Sequence, residues 1–219
     1  MPGYVVHLTA AKLWLEQQEK KSSEEWTEKF LIGNLLPDAV EDKNETHFRD
    51  PSTEGNRVQY PELSKFLEAT QGFEKTPFWW GFYYHLYIDA CFFREYMPKL
   101  VTFLDENDRE EQKISRIVRA KIKKSGRYVS QEMYFSETYY YGDFTKMNEI
   151  LMKRFDISFD WKYQKDLPKA WRERVERQLL EFGKFAEQSK KVTGDYTVFD
   201  LEDLILFLRE KAKEFSDVK

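Results

Sequence analysis

The chain has only three histidines, His7, His47 and His85, and each lies near a segment that also offers a carboxylate. His85 and Asp89 stand four apart in "FYYHLYIDACFF", residues 82–93, among aromatic and aliphatic neighbours. At i and i+4 of a helix they share one face and can converge on one point. A charge buried there without a partner would be expensive. Asp38 follows Pro37 in "GNLLPDAVED", and His47 comes nine residues later in "KNETHFRD". Singly, each has an ordinary explanation. A lone histidine on an apolar face is commonly a hydrogen-bonded core residue, a His-x-x-x-Asp pair an internal hydrogen bond, and Pro-Asp a turn. Together, two imidazoles and two carboxylates can hold one divalent ion, and a further histidine with a bridging aspartate can hold a second. Zinc, iron or manganese would suit such donors, and water on the ion would have its pKa lowered toward neutrality. A cation beside Asp89 would account for its place in an apolar stretch.

The elements that must position these residues read as helices. "YVVHLTAAKLWLEQQEK" carries apolar residues at helical spacing. Ser23 is an expected N-cap for the next helix, with Glu24 and Glu25 suited to its positive end, and Pro37 ends or kinks it. Thr76 and Pro77 are expected as N-cap and first position of "FWWGFYYHLYIDACFFREYMPKLVTFL", with a kink at Pro98. Gly81, one turn before His85, would let another backbone or a ligand come close. Further helices are expected at 108–124, 143–155, 168–190 and 199–215. Strand-like alternation is scarce outside "YTVFDL" and "ISFDW". The fold class expected is all-α, a single-domain helical bundle over residues 1–219 with a long loop near the site. That loop, Glu41 to Gly72, is polar, punctuated by Pro51, Gly55 and Pro61, and contains a short helix in "YPELSKFLEATQ". A loop of this length is usually functional and is expected to shape or cover the pocket mouth, with "DPSTEGN" mobile.

Composition narrows the classes. With 219 residues, 41% of them hydrophobic and 34% charged, the chain can bury a real core. A formal net charge of −4 argues against binding long nucleic acid, and the basic run Arg116 to Arg127 reads as a solvated helix face. A single cysteine, Cys91, excludes an internal disulfide and is expected to be a buried structural thiol. No secretory signal or bilayer-spanning run is visible, so a cytoplasmic protein is expected. Trp79, Trp80, Tyr83, Tyr84 and Tyr139 to Tyr141 either wall a pocket or fill the core.

The order of residues is informative beyond this. A histidine near the N-terminus, "LLPDA", a histidine in the following loop and then "GFYYHLYIDA" resembles the zinc-dependent phospholipase C and nuclease superfamily of all-α metallohydrolases. More closely, the chain is similar to small bacterial zinc-dependent phospholipase C-like proteins that begin Met-Pro-x-x-x-x-His. The resemblance covers roughly residues 1–95, with an echo in "YYYGDFTKMNEILMKRF". It implies that Asp38, His47, His85 and Asp89 ligate one zinc, and that His7 ligates a second ion with Asp89 bridging. It also implies that Asp38 serves as general base. Other members bind a third ion through two later histidines, a glutamate and an N-terminal tryptophan amine. No histidine follows His85 here, and the chain starts Met-Pro-Gly, so one or two ions are expected. Asp143 is a candidate further ligand, second-shell partner or substrate contact, with N-cap of the helix from Phe144 to Phe155 as the plainer alternative. The function expected is hydrolysis of a small phosphoester, a phosphodiester first, such as a lipid headgroup or a nucleotide. The alternative is a non-catalytic, metal-stabilised helical module that binds a partner protein.

Overall fold

Two of the helices that carry the site begin where small polar side chains cap them. Ser23 accepts a hydrogen bond from the Trp26 amide (3.2 Å) and Thr76 from that of Trp79 (3.3 Å), each satisfying an orphan N–H of a first turn. The computed structural model describes residues 3–18, 22–189 and 194–216. Helix α1 spans Tyr4–Glu16, α2 Glu24–Leu35, α3 Leu63–Ala69 and α4 Pro77–Cys91. As Pro37 predicts, α2 ends at Leu35 and passes into a 3-10 turn, Leu36–Asp38. The Met1-Pro2 pair, the last two residues of the expected first helix and residue 190 lie outside the described residues.

Helix α4 is apolar on all sides, the pattern of a buried central helix. It packs closest on α2, and two glycines permit the approach. A Cβ at Gly81 would collide with the Phe30 carbonyl and the Asn34 amide, and one at Gly33 with the Phe78 backbone. Trp14 of α1 meets Phe30 at 4.7 Å between ring centroids and Tyr84 at 5.9 Å, and the Tyr84 hydroxyl donates to the Ala10 carbonyl (2.9 Å). Trp79, Tyr83, Tyr84 and Tyr140 are therefore core residues, whereas Tyr141 is 43% exposed.

Beyond α4 the expected long helix does not continue to Leu104. It widens into a π turn, Phe92–Tyr96, resumes as α5, Met97–Leu100, and then becomes a strand. Strands β1 (Val101–Leu104), β2 (Arg119–Ile122) and β3 (Tyr128–Val129) form an antiparallel sheet in the order β1-β2-β3, with Val101 opposite Ile122 and Ala120 opposite Val129. The protein is thus mostly helical but not all-α. The helix expected at 108–124 is instead part of this sheet and its connections, and the basic run lies on β2 and its turn. Ala120 and Ile122 point inward while Lys121 is exposed, and Gly126 supplies the positive φ (70°) of the β2–β3 turn. Neither "YTVFDL" nor "ISFDW" forms a strand. The remaining helices are α6 (Gln131–Tyr134), α7 (Tyr140–Arg154), α8 (Lys169–Ser189) and α9 (Leu201–Ser216), the last three close to expectation. No helix among the described residues is long and apolar enough to cross a membrane.

The loop from Glu41 to Gly72 is held. The Glu62 amide donates to the Phe48 carbonyl (2.8 Å) and the Asp50 amide to that of Tyr60 (3.0 Å), closing a hairpin-like excursion. Its tip is tied as well: the Asp50 carboxylate caps a 3-10 turn at Pro51–Thr53, and Gly55 accepts from the Ile114 amide (3.0 Å). "DPSTEGN", expected to be mobile, is docked against the segment before β2.

Candidate metal centre

The five side chains singled out by sequence are brought to one place. His7 comes from α1, Asp38 from the 3-10 turn after α2, His47 from the loop, and His85 with Asp89 from α4. All are buried: His7, His85 and Asp89 at 0% exposure, His47 at 1% and Asp38 at 3%. Asp89 lies at the centre. Its Oδ1 is 3.3 Å from His7 Nε2, and its Oδ2 is 3.5 Å from His47 Nε2 and 3.8 Å from His85 Nε2. His47 Nε2 also lies 3.4 Å from Asp38 Oδ1, and the His7 and His85 rings stack at 3.6 Å, 12° from parallel.

Backbone carbonyls set the imidazole tautomers. His85 Nδ1 donates to the Asn34 carbonyl (2.8 Å), one of the carbonyls in the last turn of α2. His47 Nδ1 donates to the Lys43 carbonyl (3.1 Å), with Thr46 Oγ1 also at 3.1 Å, and that hydroxyl donates to the Pro37 carbonyl (2.7 Å). With protons on Nδ1, both rings turn a bare Nε2 lone pair inward, the arrangement second-shell carbonyls impose on metal-binding histidines. The chain reaches His47 through strain, since the next residue, Phe48, has φ 46°, a left-handed conformation uncommon for an aromatic. Phe48 is held there by edge-on packing against Phe66 (5.4 Å).

Both ring nitrogens of His7, the Nε2 atoms of His47 and His85 and both oxygens of Asp89 are buried without a hydrogen-bond partner. Burial alone would raise both carboxyl pKa values. For Asp38 the neighbouring His47, His85 and His7 rings and Lys43 outweigh it, and for Asp89 the three rings do, so both are held below the usual carboxylate range. Burial, with His7 beside it, pushes His85 down to about 3 against the pull of Asp38 and Asp89, keeping it in the neutral form that ligates. Among the described residues, Lys43 is the one cation paired with the cluster, with its ammonium on Asp38 Oδ1. Two buried carboxylates and one ammonium leave negative charge uncompensated, which a divalent ion would neutralise.

The spacing suits such an ion. Tetrahedral donors bonded at about 2.0–2.2 Å stand roughly 3.3–3.6 Å apart, close to the separations here. Two overlapping sets come near it: His7, His85 and Asp89, and Asp38, His47 and His85, each with donor atoms within 4.8 Å of one another. The sets share His85, whereas the resemblance makes Asp89 the bridge. The Asp89 oxygens nevertheless face different partners.

Asp143 does not join the cluster. It lies in the first turn of α7, whose N-cap position is Tyr139, so it is not the N-cap of that helix. Its carboxylate accepts from the amides of Thr197 (3.1 Å), Val198 (2.7 Å) and Phe199 (3.1 Å), and Lys146 approaches at 3.2 Å. Asp143 thereby anchors the segment leading into α9. Sequence reasoning missed Lys43, Asn34, Thr46 and Gly33. A Gly-Asn pair late in an apolar helix was the available signal for two of them. No family model, curated protein or solved structure matches the chain.

Proposed function

We propose that this protein is a metal-dependent hydrolase of a phosphoester, a phosphodiester by preference, of the zinc-dependent phospholipase C and nuclease type. The observation that carries this reading is the buried cluster in which the Nε2 atoms of His47 and His85 and both oxygens of Asp89 face one another without a hydrogen-bond partner among the described residues. The fit with that superfamily rests on the order of the motifs and on this convergence. His7, Asp38, His47, His85 and Asp89 would hold one or two ions, with zinc first and iron or manganese also suited to the donors. A bound ion would supply Lewis acidity toward a phosphoryl oxygen and a water of lowered pKa. Asp38, the more accessible of the two carboxylates, takes the proton of the attacking water. Lys43 beside it, with a side chain 32% exposed, neutralises charge on the solvent side of the cluster. The water oxygen bonds to phosphorus, one P–O ester bond breaks, and the departing alkoxide leaves as the alcohol once protonated.

A second reading has its own support. Side chains at most 3% exposed would equally suit an ion that only clamps α1, α2, α4 and the loop together in a protein-binding module. Elemental analysis of protein purified without added metal, with turnover of bis(4-nitrophenyl) phosphate before and after chelation, separates these. The hydrolase reading expects one or two ions per chain, chelator-sensitive turnover, and a kcat about 100-fold or more lower in Asp38→Asn. Metal without turnover would leave the module, and absence of metal in a fully folded protein would refute both.

A further inference from the structure

A cavity of about 310 Å³ is lined by side chains that lie two to four residues beyond two members of the cluster. Phe93, four residues after Asp89 and in the π turn that follows α4, lines the cavity with Met97. Arg49, two residues after His47, stands on the wall beside Arg57 and Gln59. The wall is cationic; its cations make their direct contacts with neutral groups, and Arg57 also acts on the Glu132 carboxylate from beyond ion-pair distance. Arg49 Nη1 donates to Asn44 Oδ1 and Gln59 Oε1, both at 2.9 Å. The Arg57 guanidinium lies over the Phe135 ring, 4.2 Å from its centroid. Six other arginines form ion pairs, but among the described residues neither Arg49 nor Arg57 has a carboxylate within ion-pair distance. Both are half-buried, and Asn56 on the same wall has a buried amide oxygen without a hydrogen-bond partner. Guanidiniums partly withdrawn from water and fixed by neutral partners over an apolar floor are set to receive an anion attached to an apolar body.

We infer that this cavity binds a phosphate group carried on an aromatic or acyl body, and that it is the subsite for a second, non-scissile end of the substrate. The word substrate rests on the hydrolase reading above; the phosphate site itself does not. Arginine forks favour phosphate because two parallel N–H groups match two of its oxygens, and the Phe93, Met97 and Phe135 side chains offer no polar atom other than a thioether to the attached body.

The test is calorimetric titration of the full chain with 1-naphthyl phosphate, first stripped of metal by chelator and dialysis and then reloaded with zinc. 1-Naphthol serves as the uncharged control. Binding is expected in the stripped protein. Arg49→Gln and Arg57→Gln should each weaken it about tenfold while leaving the helical circular dichroism unchanged, the loss typical of one charge-assisted contact. Arg57→Lys, which keeps the charge and loses the fork, should retain part of the affinity, and 1-naphthol should not distinguish the variants. Adenosine 5′-monophosphate and dihexanoyl phosphatidic acid, titrated in parallel, separate a nucleotide body from an acyl one by which shows the stronger arginine-dependent binding. Unchanged affinity in both glutamine variants would overturn the inference. So would binding that requires zinc and ignores the arginines, since the phosphate would then sit at the cluster. If the purified protein holds no metal yet arginine-dependent binding persists, the hydrolase reading fails and the phosphate site stands.

Discussion

Asp89 cannot be exchanged for a neutral residue without dissolving the cluster, because its two oxygens face different histidines. Asp89→Ala and His85→Ala are therefore expected to remove most bound metal, measured as ions per chain. His7→Ala, which touches only Oδ1, should cost one ion at most. Loss of all metal in His7→Ala with none lost in His85→Ala would reverse the assignment. Thr46→Val should lower affinity by about 10–100-fold without removing a ligand, the usual effect of a second-shell partner. Single residues were legible where chemistry restricts type or spacing: the three histidines stood out by scarcity, Asp89 by its place four residues after His85 and Asp38 by its place after Pro37. Lys43 and Thr46 were not, since a lysine and a threonine in a polar loop carry no mark of the inward contacts they make. Cys91 behaves as its apolar neighbours suggest. Burial pushes its thiol up to about 11, partly offset by the Tyr87 hydroxyl. At pH 8 roughly one thiol in a thousand would then be ionised, and only thiolate attacks a disulfide reagent. Native protein should react with such a reagent far more slowly than protein in denaturant; equal rates would show the thiol to be accessible.

At the level of elements, the crossing of α2 on α4 sets the site, because it brings the Asn34 carbonyl to His85. Gly81→Ala should force the helices apart at the Phe30 and Asn34 backbone, where no flexible side chain can yield. Overpacking of a well-packed contact typically costs about 1–3 kcal/mol. The variant is expected to lose that much in urea unfolding and also to bind metal more weakly, whereas Ala at exposed Gly183, which meets nothing, should leave metal binding intact. Helix starts were readable because caps are local chemistry, as Ser23 and Thr76-Pro77 show. The sheet was not. Its strands have two to four residues, "RAKI" offers one β-branched residue and no aromatic, and its charges resemble a solvated helix face. What holds β2 is tertiary: Ala120 and Ile122 are completely buried, a fact of packing rather than local sequence. The loop was legible in extent but not in order, because its ties run to Ile114 and between Phe48 and Glu62, distant in sequence.

Over the whole molecule, the cluster joins α1, the end of α2, the loop and α4, while an aromatic core of Trp14, Phe30, Tyr84 and Phe215 binds the same helices independently. An ion here should raise stability without being needed for folding. A ligand present at 100–1,000 times its Kd adds about 2.7–4.1 kcal/mol. For a chain of this length each kcal/mol moves Tm by roughly 2–4 °C, so stripping the metal should lower Tm by about 5–15 °C. Far-UV circular dichroism at 25 °C should remain helical, because the aromatic packing stays. Hydrogen exchange should locate the loss: amides of residues 43–48, tied to the cluster through His47, should open more than those of α4 around His85. Those of residues 50–56, docked against the segment before β2, should change least. Thermal unfolding indifferent to chelator, with exchange equal across these segments, would mean that the acceptors share protons instead of an ion, and the cluster would be a polar core rather than a metal centre.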